Sequence, residues 1–234
     1  MIRIYLSPSN QPANAYCVGG TNEKAQMEDV AAKVKAILDS EYDCETVMAT
    51  LNMGIGLNER ALEAKNKGCS VYLAIHSNAG GAGKASGAVA FYHPNNATSK
   101  ALAAAVVREL GAICPVKSNR TSAVVNGMNA FNGSGYGEIR NPEKYGLMPV
   151  LAETDFHDNP NTAQWIINNK DAIARAYVNA LVSTLGIAKK APSVPSAGGK
   201  FYRVQVGAYS VKTNADNMLK RLKAAGFDGY IKYD

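Results

Sequence analysis

The chain has 234 residues, 47% of them hydrophobic and 19% charged, with 25 Lys and Arg against 19 Asp and Glu for a net charge of +6. That is enough apolar material for one large domain plus a small module, and it excludes a disordered or collagen-like chain. No apolar run reaches the roughly 20 residues of a membrane-spanning helix, no basic run marks a nucleic-acid arm, and the first residues lack the apolar core of a secretory signal. Neither nucleic acid nor membrane insertion is therefore expected, and synthesis is expected in the cytoplasm. The positive charge favours approach to anionic polymers. Cys17, Cys44, Cys69 and Cys114 form no C-x-x-C pair, so a cysteine zinc knuckle is excluded and reduced, partly buried thiols are expected.

Taken in chain order, Ile2–Leu6 reads as a first strand. Residues 22–40 follow as a helix, with Met27, Val30, Ala31, Val34, Ile37 and Leu38 on one face. Thr21 or Asn22 can cap it, and Glu23 suits the positive end of its dipole. Cys44–Ala49 is strand-like, and Leu57–Lys67 is a helix closed by Gly68. Ser70–Ile75, SVYLAI, is a continuous apolar strand of the kind buried on both faces. Ala88–Tyr92 is another strand and Thr98–Ile113 an Ala-rich helix. The Gly- and Asn-rich stretch 119–144 reads as a long functional loop with short ordered pieces. A strand at Pro149–Ala152 and one long helix over 162–185 complete the body. This alternation predicts an α/β fold with a mostly parallel central sheet and helices on both faces.

Residues 188–200, AKKAPSVPSAGGK, read as a linker between a body of 1–187 and a module of 201–234. The module is expected to be a small α+β unit, strand–helix–strand, with Ala215, Met218, Leu219 and Leu222 on the apolar stripe of its helix. One such unit is too small to cover its own apolar face and needs a second copy or the body.

Three places carry groups suited to chemistry. His76 closes the SVYLAI strand, and open α/β sheets keep their sites beyond the carboxyl ends of strands. Glu23 begins the first helix. The run VLAETDFHDN delivers Glu153, Asp155 and His157 at a spacing of two, on one face if the chain stays extended. Carboxylates with imidazoles at a strand end suit zinc, with a further glutamate as general base.

Together the segments IYLSPSN, GGTNEKAQM, VYLAIHSNAG, SGAVAFYHP and PVLAETDFHDN, spanning residues 1 to about 186, resemble the zinc-dependent N-acetylmuramoyl-L-alanine amidases of the amidase-3 family. The resemblance implies hydrolysis of the amide joining N-acetylmuramic acid to the L-alanine of the peptidoglycan stem peptide. It implies Glu23 and His76 as zinc ligands and Glu153 as the catalytic glutamate. The family's first histidine ligand, in an Asp-Pro-Gly-His text, is absent, because Ser7-Pro8-Ser9-Asn10 stands there. A neutral amide is a weak zinc ligand, so His157 is the expected third ligand, with His93 or Asn10 as alternatives. Asn10, Asn78, Glu138 and Arg140 are the expected substrate contacts; Arg140 has the planar fork that suits a stem-peptide carboxylate, and Glu138 is a second acid or a support for it.

The tail FYRVQVGAYSVKTNADNMLKRLKAAGFDGYI resembles half of a SPOR module, a binder of peptidoglycan strands. Completion by homodimerisation, a shortened relative, or docking on the body are the alternatives. The reading that results is a zinc amidase of the bacterial cell wall, reaching it after holin-type release as an endolysin or at mother-cell lysis in sporulation. An inactive peptidoglycan-binding protein and a zinc peptidase acting within the stem peptide are the alternatives.

Overall fold

In the body, residues of alternating parity separate two layers of core, and this sorting builds the sheet. The computed structural model describes residues 1–51, 54–191 and 204–233. Six strands, β1 (Arg3–Pro8), β2 (Glu45–Met48), β3 (Val71–Asn78), β4 (Val89–Tyr92), β5 (Val124–Asn126) and β6 (Met148–Phe156), form one sheet in the order β2-β1-β3-β6-β4-β5. The first four in that order are mutually parallel, while β4 pairs antiparallel with β6 and parallel with β5. Mostly parallel pairing is what the alternation of strands and helices implied.

Helices α1 (Glu23–Glu41), α3 (Ala97–Ile113) and α6 (Lys170–Leu185) cover one face. Ile4, Leu6, Leu73, Ile75, Val150 and Ala152 point into that layer and are fully buried. The opposite face is covered by α2 (Leu57–Asn66) and α4 (Gly137–Lys144), over Tyr5, Tyr72, Ala74 and Leu151. Even residues of β1 and odd residues of β3 share a side because each strand alternates with period two. His76 therefore lies on the α2/α4 side, in line with Tyr72 and Ala74.

Local chemistry explains most helix ends. The Asn22 side chain accepts from Ala25 N at 3.0 Å and caps α1, leaving Glu23 in the first turn. Gly68 follows α2 at φ +69°, a left-handed stop that glycine takes without strain. The long helix expected over 162–185 is two: α5 (Pro160–Asn168) and α6 break at Asn169, whose Nδ2 donates to Trp165 O at 2.8 Å. Within the stretch read as a loop, Gly137–Lys144 is a helix. Its Gly and Pro hid it; Ile139 and Pro142, buried against the sheet, hold it.

By its contacts the chain divides into residues 1–191 and 192–234. The first residues of the expected linker are tied to the body, since Asp43 N donates to Ala188 O at 2.9 Å and Lys190 N to Glu41 O at 2.8 Å. Residues 192–203 of the expected linker and module lie outside the described residues. In the tail, helix α7 (Lys212–Ala224) stands where the apolar stripe placed it. The expected flanking strands are absent among the described tail residues 204–233. A strand exists only by bonding to a neighbour, and this short unit offers none. Val204, Phe227, Tyr230 and Tyr233 remain exposed. All four thiols are free. No helix among the described residues is long and apolar enough to cross a membrane.

Candidate active site

At the carboxyl end of the central strands, β1, β3 and β6 and the first turns of α1 and α4 deliver three carboxylates to one imidazole. In the β3–β6 register His76 stands directly opposite Glu153. Glu23 reaches in from the start of α1, and its Oε1 lies 2.9 Å from His76 Nδ1. From the start of α4, Glu138 Oε1 lies 3.6 Å from His76 Nε2. His76, Glu23 and Glu138 are all buried.

A hydrogen-bonded chain supports this cluster from beneath. Glu138 Oε2 accepts from the Tyr72 hydroxyl at 2.5 Å, and that hydroxyl is 3.0 Å from Ser7 Oγ. The fully buried Arg60 donates from Nη1 to Ser7 Oγ at 3.0 Å and to Pro8 O at 2.6 Å. A buried guanidinium offsets part of the negative charge gathered above it. On the other side, Glu23 Oε2 accepts from Asn14 Nδ2 at 2.7 Å, and Ser77 N donates to Glu23 Oε1 at 3.3 Å.

The charges respond accordingly. Burial opposes the charge on His76, yet the neighbouring carboxylates of Glu138, Glu23 and Glu153 favour it and lift it to about 10. Burial would raise the Glu23 carboxyl, but His76 and Asn14 outweigh it and hold it below the ordinary range. Glu153 goes the other way: burial, with the charges of Glu23 and Glu138, pushes it up to about 7 against the opposing effect of His76. A carboxyl in that range both accepts and returns a proton near neutrality.

The sequence-derived residues separate into those gathered here and those not. Glu23, His76, Glu138 and Glu153 meet. Asn10 lies just past β1 at the same end of the sheet. Asn78 ends β3, accepts from Ala79 N at 2.8 Å, and lines an open cleft of about 600 Å³ with Lys84, Asn119, Arg120 and Phe156. Arg140 points away to the preceding loop, donating from Nη1 to Ser134 O at 2.6 Å. His157 is buried; its Nδ1 is 2.9 Å from Ser77 Oγ and its ring stacks on Tyr16 at 5.1 Å. It is near enough for the charge of Glu23 to act on it, although burial dominates and lowers its pKa. His93 does not belong here: because β4 runs antiparallel to β6, Val89 stands beside Glu153 and His93 is carried towards the far end. Asp155, expected on the face of Glu153, instead accepts from Gly87 N at 2.9 Å and from its own Phe156 N. The β3–β6 register shifts just past His76, and the end of β6 bends towards the loop before β4.

Sequence reading missed Tyr72, Gln11, Asn14 and Ser77. Tyr72 had a signal, since it shares the parity of His76 on β3. Ser77 is the neighbour of His76 on β3, whereas Gln11 and Asn14 reach the site only because the loop after β1 closes over it.

Among the described residues, no three His, Cys, Asp or Glu side chains stand ready around one point for a metal. The donor set nonetheless fits a divalent cation. Three carboxylates, those of Glu23 and Glu138 buried and that of Glu153 half-buried, exceed what one imidazolium can neutralise. The buried atoms Glu138 Oε1 and Glu153 Oε2 also have no hydrogen-bond partner among the described residues, which leaves acceptor capacity for an ion or water.

Comparison with known proteins bears on the same residues. Residues 9–183 match the family model described as N-acetylmuramoyl-L-alanine amidase, and residues 169–233 match that of the SPOR domain. The second match begins at Asn169, the residue before α6, so its first part falls on the body. A sporulation-specific N-acetylmuramoyl-L-alanine amidase of Bacillus subtilis is 25% identical over 99% of this chain and 84% of its own length. An N-acetylmuramoyl-L-alanine amidase of Bacillus licheniformis is 25% identical over 100% of this chain and 85% of its own. Among solved structures, an N-acetylmuramoyl-L-alanine amidase of Clostridium difficile shares the fold, with a TM-score of 0.65 at 23% identity over 79% of this chain and 97% of that one. With three quarters of its length matched by the family model and the acids and imidazole of the site gathered at one sheet end, this chain belongs to the amidase-3 family of N-acetylmuramoyl-L-alanine amidases.

Proposed function

We propose that this amidase hydrolyses the bond between N-acetylmuramic acid and L-alanine with a zinc ion bound by His76 and Glu23 and with Glu153 as general base. The observation that carries this reading is Glu153. It is a half-buried acid opposite His76, raised to about 7 by desolvation, with one oxygen that has no hydrogen-bond partner among the described residues. When bound, zinc acts as a Lewis acid towards water and the amide carbonyl.

The side chains divide the remaining work. Glu153 takes a proton from the attacking water and afterwards gives it to the departing L-alanine amine. Glu138, held by Tyr72, faces His76 Nε2 at 3.6 Å, and its charge favours the ring orientation that turns Nδ1 towards Glu23. Asn78 and the cleft beyond it, with Lys84 and Arg120, receive the anionic stem peptide. Arg140 stays a candidate contact through the loop it anchors.

Digestion of purified cell walls tests the proposal. New L-alanine amino termini are expected, and cuts inside the stem peptide would mean a peptidase instead. Glu153→Gln should retain zinc and lower turnover by at least about a hundredfold. Undiminished turnover would remove Glu153 from its role. Because the Bacillus subtilis relative is named sporulation-specific, we assign the same setting, wall digestion at mother-cell lysis. Expression confined to sporulating cells is expected, and expression with phage lysis genes would favour the endolysin setting.

A further inference from the structure

Zinc sites that keep a position open for water or substrate are closed by three protein atoms. Glu23 and His76 supply two. The side-chain amide of Gln11 stands at the same point. Its Nε2 lies 3.4 Å from His76 Nδ1, the atom that Glu23 Oε1 approaches at 2.9 Å. Ligands roughly 2.0–2.1 Å from a tetrahedral ion lie about 3.3 Å apart. The two edges that meet at His76 Nδ1 therefore already have nearly the lengths of such a shell. Asn14 holds the other ends together, its Nδ2 donating to Gln11 Oε1 at 3.1 Å and to Glu23 Oε2 at 2.7 Å.

We propose that Gln11 is the third protein ligand of this site, binding through its amide oxygen. The inference rests on the zinc reading above. A half-turn about the last side-chain bond exchanges Oε1 and Nε2 and brings the oxygen to His76 Nδ1. The turn gives up the hydrogen bond from Asn14 to Gln11 and leaves the one from Asn14 to Glu23 in place. The neighbours agree with this choice. His157 Nδ1 is engaged by Ser77 Oγ at 2.9 Å, and its ring is stacked on Tyr16. On the far edge of the His76 ring, Nε2 faces Glu138 Oε1 at 3.6 Å. A ligating imidazole typically gives its other N–H to a carboxylate, which leaves Nδ1, on the Gln11 side, for the ion. An amide oxygen carries less charge than a carboxylate and is a weaker donor than imidazole, so a histidine here would bind more tightly.

The full chain, Gln11→Ala, Gln11→His and His157→Ala are compared by zinc titration against a chelator and by the visible absorption of the cobalt(II)-loaded proteins. Gln11 is exposed apart from this contact, so its replacement leaves the core intact. Gln11→Ala is expected to weaken zinc by at least about tenfold. Gln11→His is expected to bind more tightly than the parent and to shift the cobalt bands, and His157→Ala to match the parent. Parental zinc affinity in Gln11→Ala, or a loss confined to His157→Ala, overturns the assignment. A parent chain that binds no zinc overturns both it and the zinc reading, so the two failures are told apart.

Discussion

Tyr72→Phe isolates the support beneath the site. The substitution removes one oxygen and keeps the ring, which stacks on Tyr5 with centroids 5.2 Å apart. The lost hydroxyl is buried, donates to Glu138 Oε2 at 2.5 Å and lies 3.0 Å from Ser7 Oγ. Ser7 keeps its bond from Arg60, so the loss falls on Glu138, whose other oxygen already has no hydrogen-bond partner among the described residues. A hydrogen bond to a charged group contributes about 1.5–3 kcal/mol, and leaving a buried carboxylate unsatisfied has a similar cost. The expected loss is about 2 kcal/mol, or about 4–8 °C in Tm for a body of this size. Urea unfolding of the metal-free chain measures it. With Glu138 less fixed, zinc affinity should fall about 10–100-fold, as when an outer support of a metal ligand is removed. Tyr177→Phe is the control. It breaks a buried hydrogen bond to Thr154 on the opposite face, 2.8 Å long, and should cost about 1 kcal/mol without touching zinc affinity. Stability and zinc affinity both unchanged in Tyr72→Phe would show that the relay does not hold Glu138.

Glu63 couples stability to pH. Burial would raise it, but Lys67, Tyr5 and Thr50 lower it to about 2. Its stabilising effect is therefore complete above the unfolded value of about 4.3 and is lost as pH falls towards 2. Allowing for solvent screening, Glu63→Gln should cost about 1 kcal/mol at pH 7, and the gap from the parent should close on acidification; a gap constant from pH 7 to 2.5 would contradict this. Gly87→Ala should destabilise by about 2–4 kcal/mol in thermal melts. Gly87 has φ +107°, and a Cβ there would lie 2.0 Å from Ser118 Oγ and 3.1 Å from Ser118 Cα; parental Tm would mean that the facing loop retreats freely. A chain ending at Ala191 should cleave soluble muropeptides at the parental rate and bind wall sacculi more weakly, measured by co-sedimentation. Equal sedimentation of the two would deprive the tail of its wall-binding role.

Much of the α/β body was legible because its signals are local. The period-two parity of β3 and the apolar stripe of α1 depend on neighbours within a few residues, and so does the Asn22 cap that sets Glu23 at a helix start. The same locality explains the failures. Helix α4 was hidden because its Gly and Pro argue against a helix, and only packing of Ile139 and Pro142 on the sheet decides for one. Asn169 splits the last long helix by a single side-chain bond to Trp165 O.

The sequence by itself determined which residues carry the chemistry: a glutamate at a helix start, a histidine at the end of a buried strand, a second acid on a strand, and the texts that mark the family. Only the tertiary structure decided which of them meet. Strand order and direction put Glu153 opposite His76 and carried His93 away. The closing loop brought Gln11 to the imidazole and Asn14 to Glu23, while Ser77 took His157. Such choices turn on contacts such as Gln11 with His76, 65 positions apart, and Ser77 with His157, 80 apart, whose strength depends on burial and on competing partners, and no short stretch of sequence contains either.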